Sequence, residues 1–290
     1  MHMKNTDSNP PLVSAHGGHS GSFCNHAEDA LEEIIRTYID RGFRWVGITE
    51  HMAPVNDRFV YPDERLAGLD AAALQKRFAS YFENCYILKE KYRDQIEILV
   101  GFEAETYTGT EAFIKRVVAA FTPAYMVGSL HHVSDMEIDT SAQAYRAAAK
   151  SVGGLEKLYC RYFDAQYDMV QALNPPVVGH LDLVRIFDPD YKARLQQPQI
   201  AKRVQRNLDL IKERELMLDF NLAGFDKPAG EPYPSRDILA AAIERGIALV
   251  PGDDSHGIRT VGRHFARGMA LLEELGGELN WKKPAPIKAL

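Results

Sequence analysis

The 290-residue sequence predicts an α/β fold in which parallel strands and helices close into one barrel. Short apolar, β-branched segments alternate with longer helical patterns in seven successive units, which is typical of parallel strands joined by helical crossovers. Residues able to take part in chemistry follow nearly every strand-like segment. In a barrel all strand ends meet at one mouth, whereas in a doubly wound open sheet, the competing architecture, such residues cluster at one switch point.

The individual elements follow from the period of the apolar residues, taken along the chain. The predicted strands cover residues 11–16, 45–49, 96–100, 125–130, 177–182, 216–221 and 247–250. The predicted helices cover residues 30–41, 71–92, 110–121, 155–173, 199–214, 236–244 and 261–275. Gly42 should end the first helix in a left-handed conformation, and Ser235 should cap the sixth helix. We find no repeat or linker and expect one domain over residues 1–290, with a loose N-terminus at 1–10 and a surface tail from Lys282.

Composition argues against several classes of protein. The net charge is −6 and no block of Lys and Arg occurs, so a nucleic-acid partner is not expected. No apolar segment reaches membrane-spanning length, and residues 1–10 lack a signal-peptide core. The three cysteines are widely spaced, so neither a disulfide framework nor a cysteine-based zinc site is expected. These features predict a cytoplasmic protein, and they leave its oligomeric state open.

Imidazole and carboxylate side chains gather at the predicted strand ends. Seven of the ten histidines fall at or just after a strand, and one acid holds the equivalent position on the third and on the seventh strand. The candidate metal ligands are His16, His19, His26, His51, Glu103, His131, His180, Asp254 and His256. Such a set suits two or three zinc, iron or manganese ions. Neighbouring divalent ions are suited to hydrolysis of a phosphate ester, because they neutralise phosphate, generate hydroxide and stabilise the leaving oxygen.

Each of these histidines, taken alone, is more often a hydrogen-bonded core or surface residue than a ligand. We assign His2 and His264 to that class. His132 points away from His131 on a strand, and we expect it to be structural or to support a ligand. Packing does not readily explain nine such residues at the same end of one layer, and their agreement is the basis of the prediction.

Six segments of the sequence contain most of the candidate ligands. They are residues 19–27, 47–51, 101–103, 128–132, 178–182 and 253–256. In these segments and in their order, the sequence resembles the PHP (polymerase and histidinol phosphatase) family over about residues 11–275. Residues 59–64 and 231–235 are similar to segments of the histidinol-phosphate phosphatase branch in particular.

The resemblance implies a distorted (β/α)7 barrel with a trinuclear metal site at the C-terminal ends of the strands. One ion would bind His16, His19, Glu103 and Asp254, a second would bind Glu103, His131 and His180, and a third would bind His26, His51 and His256. The implied activity is hydrolysis of L-histidinol phosphate to L-histidinol and phosphate, in histidine biosynthesis, by attack of a metal-bridging hydroxide. Glu103, Asp254 and His256 are the implied catalytic residues.

The sequence departs from the family pattern at two places. Two residues, Gly17 and Gly18, separate the first pair of histidines where the family usually has one. We predict a kink or bulge there that brings both rings to one ion; the alternative is that His19 alone binds. Near the sixth strand Asp226 precedes Lys227, where relatives often carry an arginine. The candidate substrate-binding residues are therefore Arg185, Lys227, Arg259 and Tyr61.

Two other functions stay open on the sequence alone. One is a phosphoesterase of the same family for a nucleotide or an oligonucleotide, and the other is a catalytically silent metal-binding module. The acidic balance and the two branch-like segments favour a small phosphomonoester with a cationic body. The loops around Tyr61 and Tyr233 are the expected determinants of that preference.

Overall fold

Parallel strands form the centre of the fold. The structure, a computed structural model, describes residues 10–288, so residues 1–9 of the predicted loose N-terminus, including His2, lie outside the described residues. The strands are β1 (Val13–Ser14), β2 (Trp45–Ile48), β3 (Glu97–Glu105), β4 (Tyr125–Ser129), β5 (His132–Val133), β6 (Met136–Glu137), β7 (Val177–Val178), β8 (Met217–Asn221) and β9 (Ala248–Gly252). Within the described chain, seven strands pair in parallel in the order β1-β2-β3-β4-β7-β8-β9, and β5 and β6 form a separate antiparallel pair.

Backbone hydrogen bonds join the two edges of this sheet, from residues just after β1 to residues at the end of β9 and just after it. Ala15 N donates to Pro251 O over 2.8 Å, and Asp254 N donates to His16 O over the same distance. The barrel is distorted because β1 and β7 have two residues each, whereas β3 has nine. The predicted (β/α)7 barrel is confirmed, and the open sheet is excluded because its edges would not be bonded to each other.

Amphipathic helices cover the outside of the barrel. They are α1 (Leu31–Asp40), α2 (Pro62–Leu66), α3 (Ala71–Lys91), α4 (Thr110–Phe121), α5 (Ala142–Val152), α6 (Leu155–Leu173), α7 (Tyr191–Leu195), α8 (Pro198–Glu213), α9 (Arg236–Glu244) and α10 (Phe265–Glu274). In α1, for example, Leu31, Ile34, Ile35 and Tyr38 are buried on one face. Among residues 10–288, no helix is both long and apolar enough to cross a membrane.

Strand β3 connects the two halves of the barrel. Its first half, from Glu97 to Val100, pairs with β2, and its second half, from Gly101, pairs with β4. The Tyr81 hydroxyl on α3 donates to Ile48 O over 2.7 Å and to Gly101 O over 2.6 Å, where β2 ends and pairing with β4 begins. The result is that the C-terminal half of β3 passes through the barrel mouth, where chemistry on parallel strands is expected.

The structure corrects several predicted boundaries. Strand β3 was expected to end at Val100 but continues to Glu105, so Glu103 lies within a strand. The strand predicted over 177–182 ends at Val178, because the chain then turns toward a 3-10 helix at Leu183–Arg185. The last helix begins at Phe265 instead of residue 261, because residues 259–264 form turns.

Short elements and caps account for the other differences. The hairpin β5–β6 and the helices α2, α5 and α7 were not predicted, because their apolar patterns are too short or lie within loops. Ser235 occupies the cap position of α9, but its side chain makes no capping hydrogen bond. Gly42 does follow α1 with φ +76, as predicted.

Candidate metal centre

His16 and His19 follow β1 on a segment that bends at the two glycines between them. Gly18 has φ +77, a conformation that residues with a β carbon rarely adopt, and a β carbon on Gly17 would lie 2.3 Å from Asp253 Oδ1. The predicted kink is therefore present. His16 Nε2 and His19 Nε2 lie 3.9 and 3.4 Å from the same atom, Asp254 Oδ1. Both rings thus face one position in the barrel mouth.

Glu103 lies at the centre of the candidate ligands and is 1% exposed. Its Oε1 is 3.0 Å from His131 Nε2, 2.9 Å from His180 Nε2 and 3.4 Å from His16 Nε2. Its Oε2 is 2.9 Å from His51 Nδ1, at an angle that does not form a hydrogen bond. Burial opposes the charge of this carboxylate, but the imidazoles of His16, His51 and His131 hold its pKa well below the usual range.

Two carboxylates hold ligand rings from behind. Asp219 Oδ2 lies 2.7 Å from His16 Nδ1, and Asp139 Oδ2 lies 2.6 Å from His131 Nδ1. A neutral ring that donates from Nδ1 presents its lone pair at Nε2, which is how outer carboxylates orient metal-ligating histidines. Sequence reasoning missed both acids. The signal for Asp219 was an acid within the otherwise apolar stretch from Met217 to Phe220.

A second group of rings lies beside the first. His26 Nε2 and His51 Nε2 are 3.2 Å apart, and His51 Nε2 and His256 Nε2 are 3.4 Å apart. His256 Nδ1 lies 3.0 Å from Asp254 O, which orients this ring as well. Sequence analysis set the cysteines aside, whereas the fold brings Cys24 into this group, with all four ligand atoms within 4.8 Å of one another.

The donor atoms fit divalent cations. His16 Nε2, both ring nitrogens of His19 and Glu103 Oε2 are buried and have no hydrogen-bond partner among the described residues. Buried polar atoms without a partner are destabilising, and a cation would supply one to His16 Nε2, His19 Nε2 and Glu103 Oε2. The other ring nitrogen of His19, Nδ1, faces Glu50 Oε1 at 3.5 Å. The compact groups are His16–His19–Glu103, His19–Asp254–His256, His51–Glu103–His131 and Cys24–His26–His51–His256. His180 is in none of these four groups, although it lies beside Glu103.

A cavity of about 560 Å³ opens above these groups at the C-terminal ends of the strands. Seven of the nine candidate ligands line it, while His16 and His19 lie beneath, fully buried. Its other polar lining residues are Tyr61, Asp63, Asp139, Thr140, Ser141, Lys227 and Tyr233. The Tyr61 hydroxyl donates to Glu105 Oε2 over 2.8 Å, and the buried Tyr233 hydroxyl has no hydrogen-bond partner within residues 10–288.

The structure separates the candidate substrate-binding residues. Lys227 and Tyr61 line the cavity, but Arg185 and Arg259 do not. Arg185 is buried beneath the Tyr233 ring at 4.2 Å, and its Nε donates to Asp182 Oδ2 over 3.0 Å. Arg185 therefore supports the loop that carries Tyr233, a correction to its predicted contact with substrate.

Arg259 and Asp226 form ion pairs with other side chains of the protein surface. Arg259 is exposed and pairs with Glu28 at 3.0 Å on the outside of the protein. Asp226, which precedes Lys227, bonds to Arg263 at 3.0 Å and to His264. Its carboxylate is thus directed to the turn before α10 and away from the cavity, and His264 has the structural role that the sequence suggested.

Comparisons with known proteins show the family and the fold of this chain. Residues 17–223 match the family model described as PHP domain. A Schizosaccharomyces pombe protein named probable histidinol-phosphatase is 34% identical over 269 residues, covering 91% of this chain and 87% of its own. The crystal structure of a provisionally named histidinol phosphatase from Listeria monocytogenes has a TM-score of 0.78 and 27% identity, covering 88% of this chain and 99% of that one. The Lactococcus lactis histidinol phosphate phosphatase, complexed with zinc, L-histidinol and phosphate, has a TM-score of 0.68 and 22% identity, covering 93% and 98%.

The bend at Gly18 can be tested by substitution. A β carbon there would lie 2.6 Å from Ile48 Cδ1, so Gly18→Val should displace His19 and lower the metal content of protein purified without chelator. Gly42→Val is the matched control, because Gly42 has nearly the same φ, +76, with nothing within 4 Å of the added carbon. Elemental analysis measures the difference. Equal metal content in the two folded variants would show that the backbone freedom at Gly18 is not needed.

Proposed function

The chain belongs to the PHP domain family, and from this membership and the geometry of its site we propose that it is a metal-dependent phosphatase of L-histidinol phosphate. The observation that carries the proposal is the convergence of nine potential metal ligands at one cavity, seven in its wall and two beneath it, with Lys227 also in the wall. The relative from S. pombe, which aligns with most of this chain, supports the same substrate by its name. Such an enzyme cleaves a phosphate monoester with water.

We infer a centre of two to three divalent ions, with zinc, iron and manganese as the ions that imidazole and carboxylate ligands suit. The residues that would hold them are His16, His19, Glu103 and Asp254 for the first, Glu103, His131 and His180 for the second, and His26, His51 and His256 for the third. When bound, such ions neutralise phosphate charge, make water nucleophilic near neutral pH and stabilise the leaving oxygen. The zinc in the Lactococcus complex is consistent with this choice.

Side chains of this protein would orient the ester above the centre. Lys227 supplies a positive charge at the cavity wall, where it can bind a phosphate oxygen. The Tyr233 hydroxyl is buried and unpaired among the described residues, so it can donate to a substrate oxygen without breaking another bond. Arg185 stacks on the far side of that ring and keeps it in position.

The cavity suits a small monoester with a cationic body. Its volume of about 560 Å³ lies within the usual range for small-molecule sites. Asp63 and Asp139 line the wall that Tyr61 also forms, so this wall carries negative charge opposite to that of an ammonium or imidazolium group. L-Histidinol phosphate carries such groups on one end and the phosphate on the other.

Phosphate release from a panel of esters tests the proposed substrate. Metal-loaded protein should hydrolyse L-histidinol phosphate with a kcat/KM at least about tenfold above that for nucleoside monophosphates, a difference of about 1.4 kcal/mol in the barrier. A phosphodiester should be cleaved more slowly than either. Faster cleavage of a nucleotide or of the diester would reject histidinol phosphate as the preferred substrate. If the metal-loaded protein hydrolysed none of the esters, the proposed phosphatase activity itself would be rejected.

Glu103→Gln should lower the metal content and the turnover together. The carboxylate lies among four imidazoles, and its negative charge would stabilise the two ions that it is proposed to share. The amide of glutamine lacks this charge. Substitution of a residue that hydrogen-bonds to a metal ligand typically lowers metal affinity or activity by about 10–100-fold. For Glu103, which would itself bind the ions, we therefore expect a loss of more than about 100-fold in kcat/KM. The matched control is Glu97→Gln on the same strand, whose side chain is half exposed and pairs with Lys283. Full metal content with near-normal turnover in the Glu103 variant would reject its bridging role.

Lys227→Met should weaken catalysis without loss of metal. A charge-assisted hydrogen bond contributes about 1.5–3 kcal/mol, so kcat/KM should fall by roughly 10- to 150-fold. Arg259→Met removes an exposed charge outside the cavity and should leave kcat/KM unchanged. Steady-state kinetics together with elemental analysis distinguish the two. If both variants behave alike, Lys227 does not bind the phosphate.

A further inference from the structure

Cys24 lies against the outermost group of histidines. It is 5% exposed, and its Sγ belongs to the same compact group as ring nitrogens of His26, His51 and His256. The three histidines come from separate parts of the chain, namely the segment after β1, the end of β2 and the loop after β9. Three imidazoles leave a tetrahedral ion one ligand short, and the cysteine lies within reach as a fourth.

Distances between the ring nitrogens match a tetrahedral ion. A tetrahedral ion with metal–nitrogen bonds of about 2.0–2.1 Å has nitrogen atoms about 3.3–3.4 Å apart. The Nε2 atoms of His26 and His51 are 3.2 Å apart, and those of His51 and His256 are 3.4 Å apart. Two edges of such a tetrahedron are thus already present between the rings, and Sγ lies within 4.8 Å of every other ligand atom in the group.

Backbone hydrogen bonds hold the cysteine segment in this place. Cys24 N donates to Ser20 O over 2.8 Å within a turn, and Glu28 N donates to His256 O over 2.8 Å. The segment from Ser20 to Glu28 is therefore tied to the loop that carries His256. The position of Cys24 beside that ring follows from the main chain and not from a side-chain rotation alone.

We propose that the Cys24 thiolate is the fourth ligand of the third ion, which gives this site one thiolate and three imidazole ligands and makes it selective for zinc over manganese. The proposal rests on the proposed metal centre but not on the identity of the substrate. Thiolate ligands select soft or borderline ions such as zinc, whereas carboxylate and water suit manganese. The neighbouring sites have imidazole and carboxylate ligands but no thiolate, so they should prefer zinc over manganese less strongly.

Cobalt spectroscopy of the full chain tests the proposal directly. Co²⁺ added to metal-depleted protein should give a sulfur-to-cobalt charge-transfer band in the near ultraviolet, which imidazole and carboxylate ligands do not produce. The sequence has three cysteines, and Cys85 and Cys160 belong to none of the ligand groups in the described structure. Cys85→Ser/Cys160→Ser should therefore keep the band, and Cys24→Ser should lose it. The double variant leaves Cys24 as the one cysteine, so the test stands even if Cys24→Ser fails to fold.

Competition between metals gives the second measurement. In excess Mn²⁺ the wild-type chain should retain one tightly bound zinc ion. Cys24→Ser should bind this ion at least about tenfold more weakly, since loss of even a residue that hydrogen-bonds to a metal ligand lowers metal affinity by about 10–100-fold. Bound cobalt without the charge-transfer band, or a band lost only with Cys85 and Cys160, would overturn the proposal while leaving the metal centre intact. Failure to bind cobalt at all would overturn both.

Discussion

The burial of one carboxylate among several imidazoles is the constraint on which the site depends. Glu103 is almost fully excluded from water, and a buried charge is tolerated only when it is paired and hydrogen-bonded. Strand β3 brings this residue into the barrel mouth because it runs beyond the end of β2, where the backbone of Glu103 bonds to Glu50 O and Met52 N. The rings that stabilise Glu103 must then converge from other strands, and closure of the barrel is what brings them together.

A second layer of charge keeps those rings in place. Asp219 Oδ2 accepts from His16 Nδ1 over 2.7 Å, from Asn221 Nδ2 over 3.0 Å and from His180 N over 3.3 Å, so one buried acid couples three strand ends. The strand beside it must come close: a β carbon on Gly252 would lie 2.2 Å from Asp219 Oδ1. Orientation of His16 is thus part of the packing of β8 against β9, whereas Asp139, in the loop between β6 and α5, orients His131.

The side of the cavity that would contact substrate is built in a different way. Arg185, Tyr233 and the backbone of Glu231 form one buried stack in which the guanidinium bonds to Asp182 and to the Glu231 carbonyl. A buried arginine with these partners is committed to structure. Recognition of an anion is left to Lys227, which lies at the cavity wall, and Asp226 does not oppose it because Arg263 neutralises that acid.

Local patterns in the sequence determined the order of the seven parallel strands and of most helices, the barrel and the residues that converge at its mouth. They did so because apolar periodicity, and polar residues at strand ends such as His51 and His131, depend only on neighbours within a few positions. The length of β3, the support from Asp219, the burial of Arg185 and the approach of Cys24 to His256 were decided by the tertiary structure. Each of these features depends on contacts between segments that are far apart in the chain. The residues next to Arg185 and Cys24 in the sequence do not show whether such distant contacts place the side chain in the core or at the site.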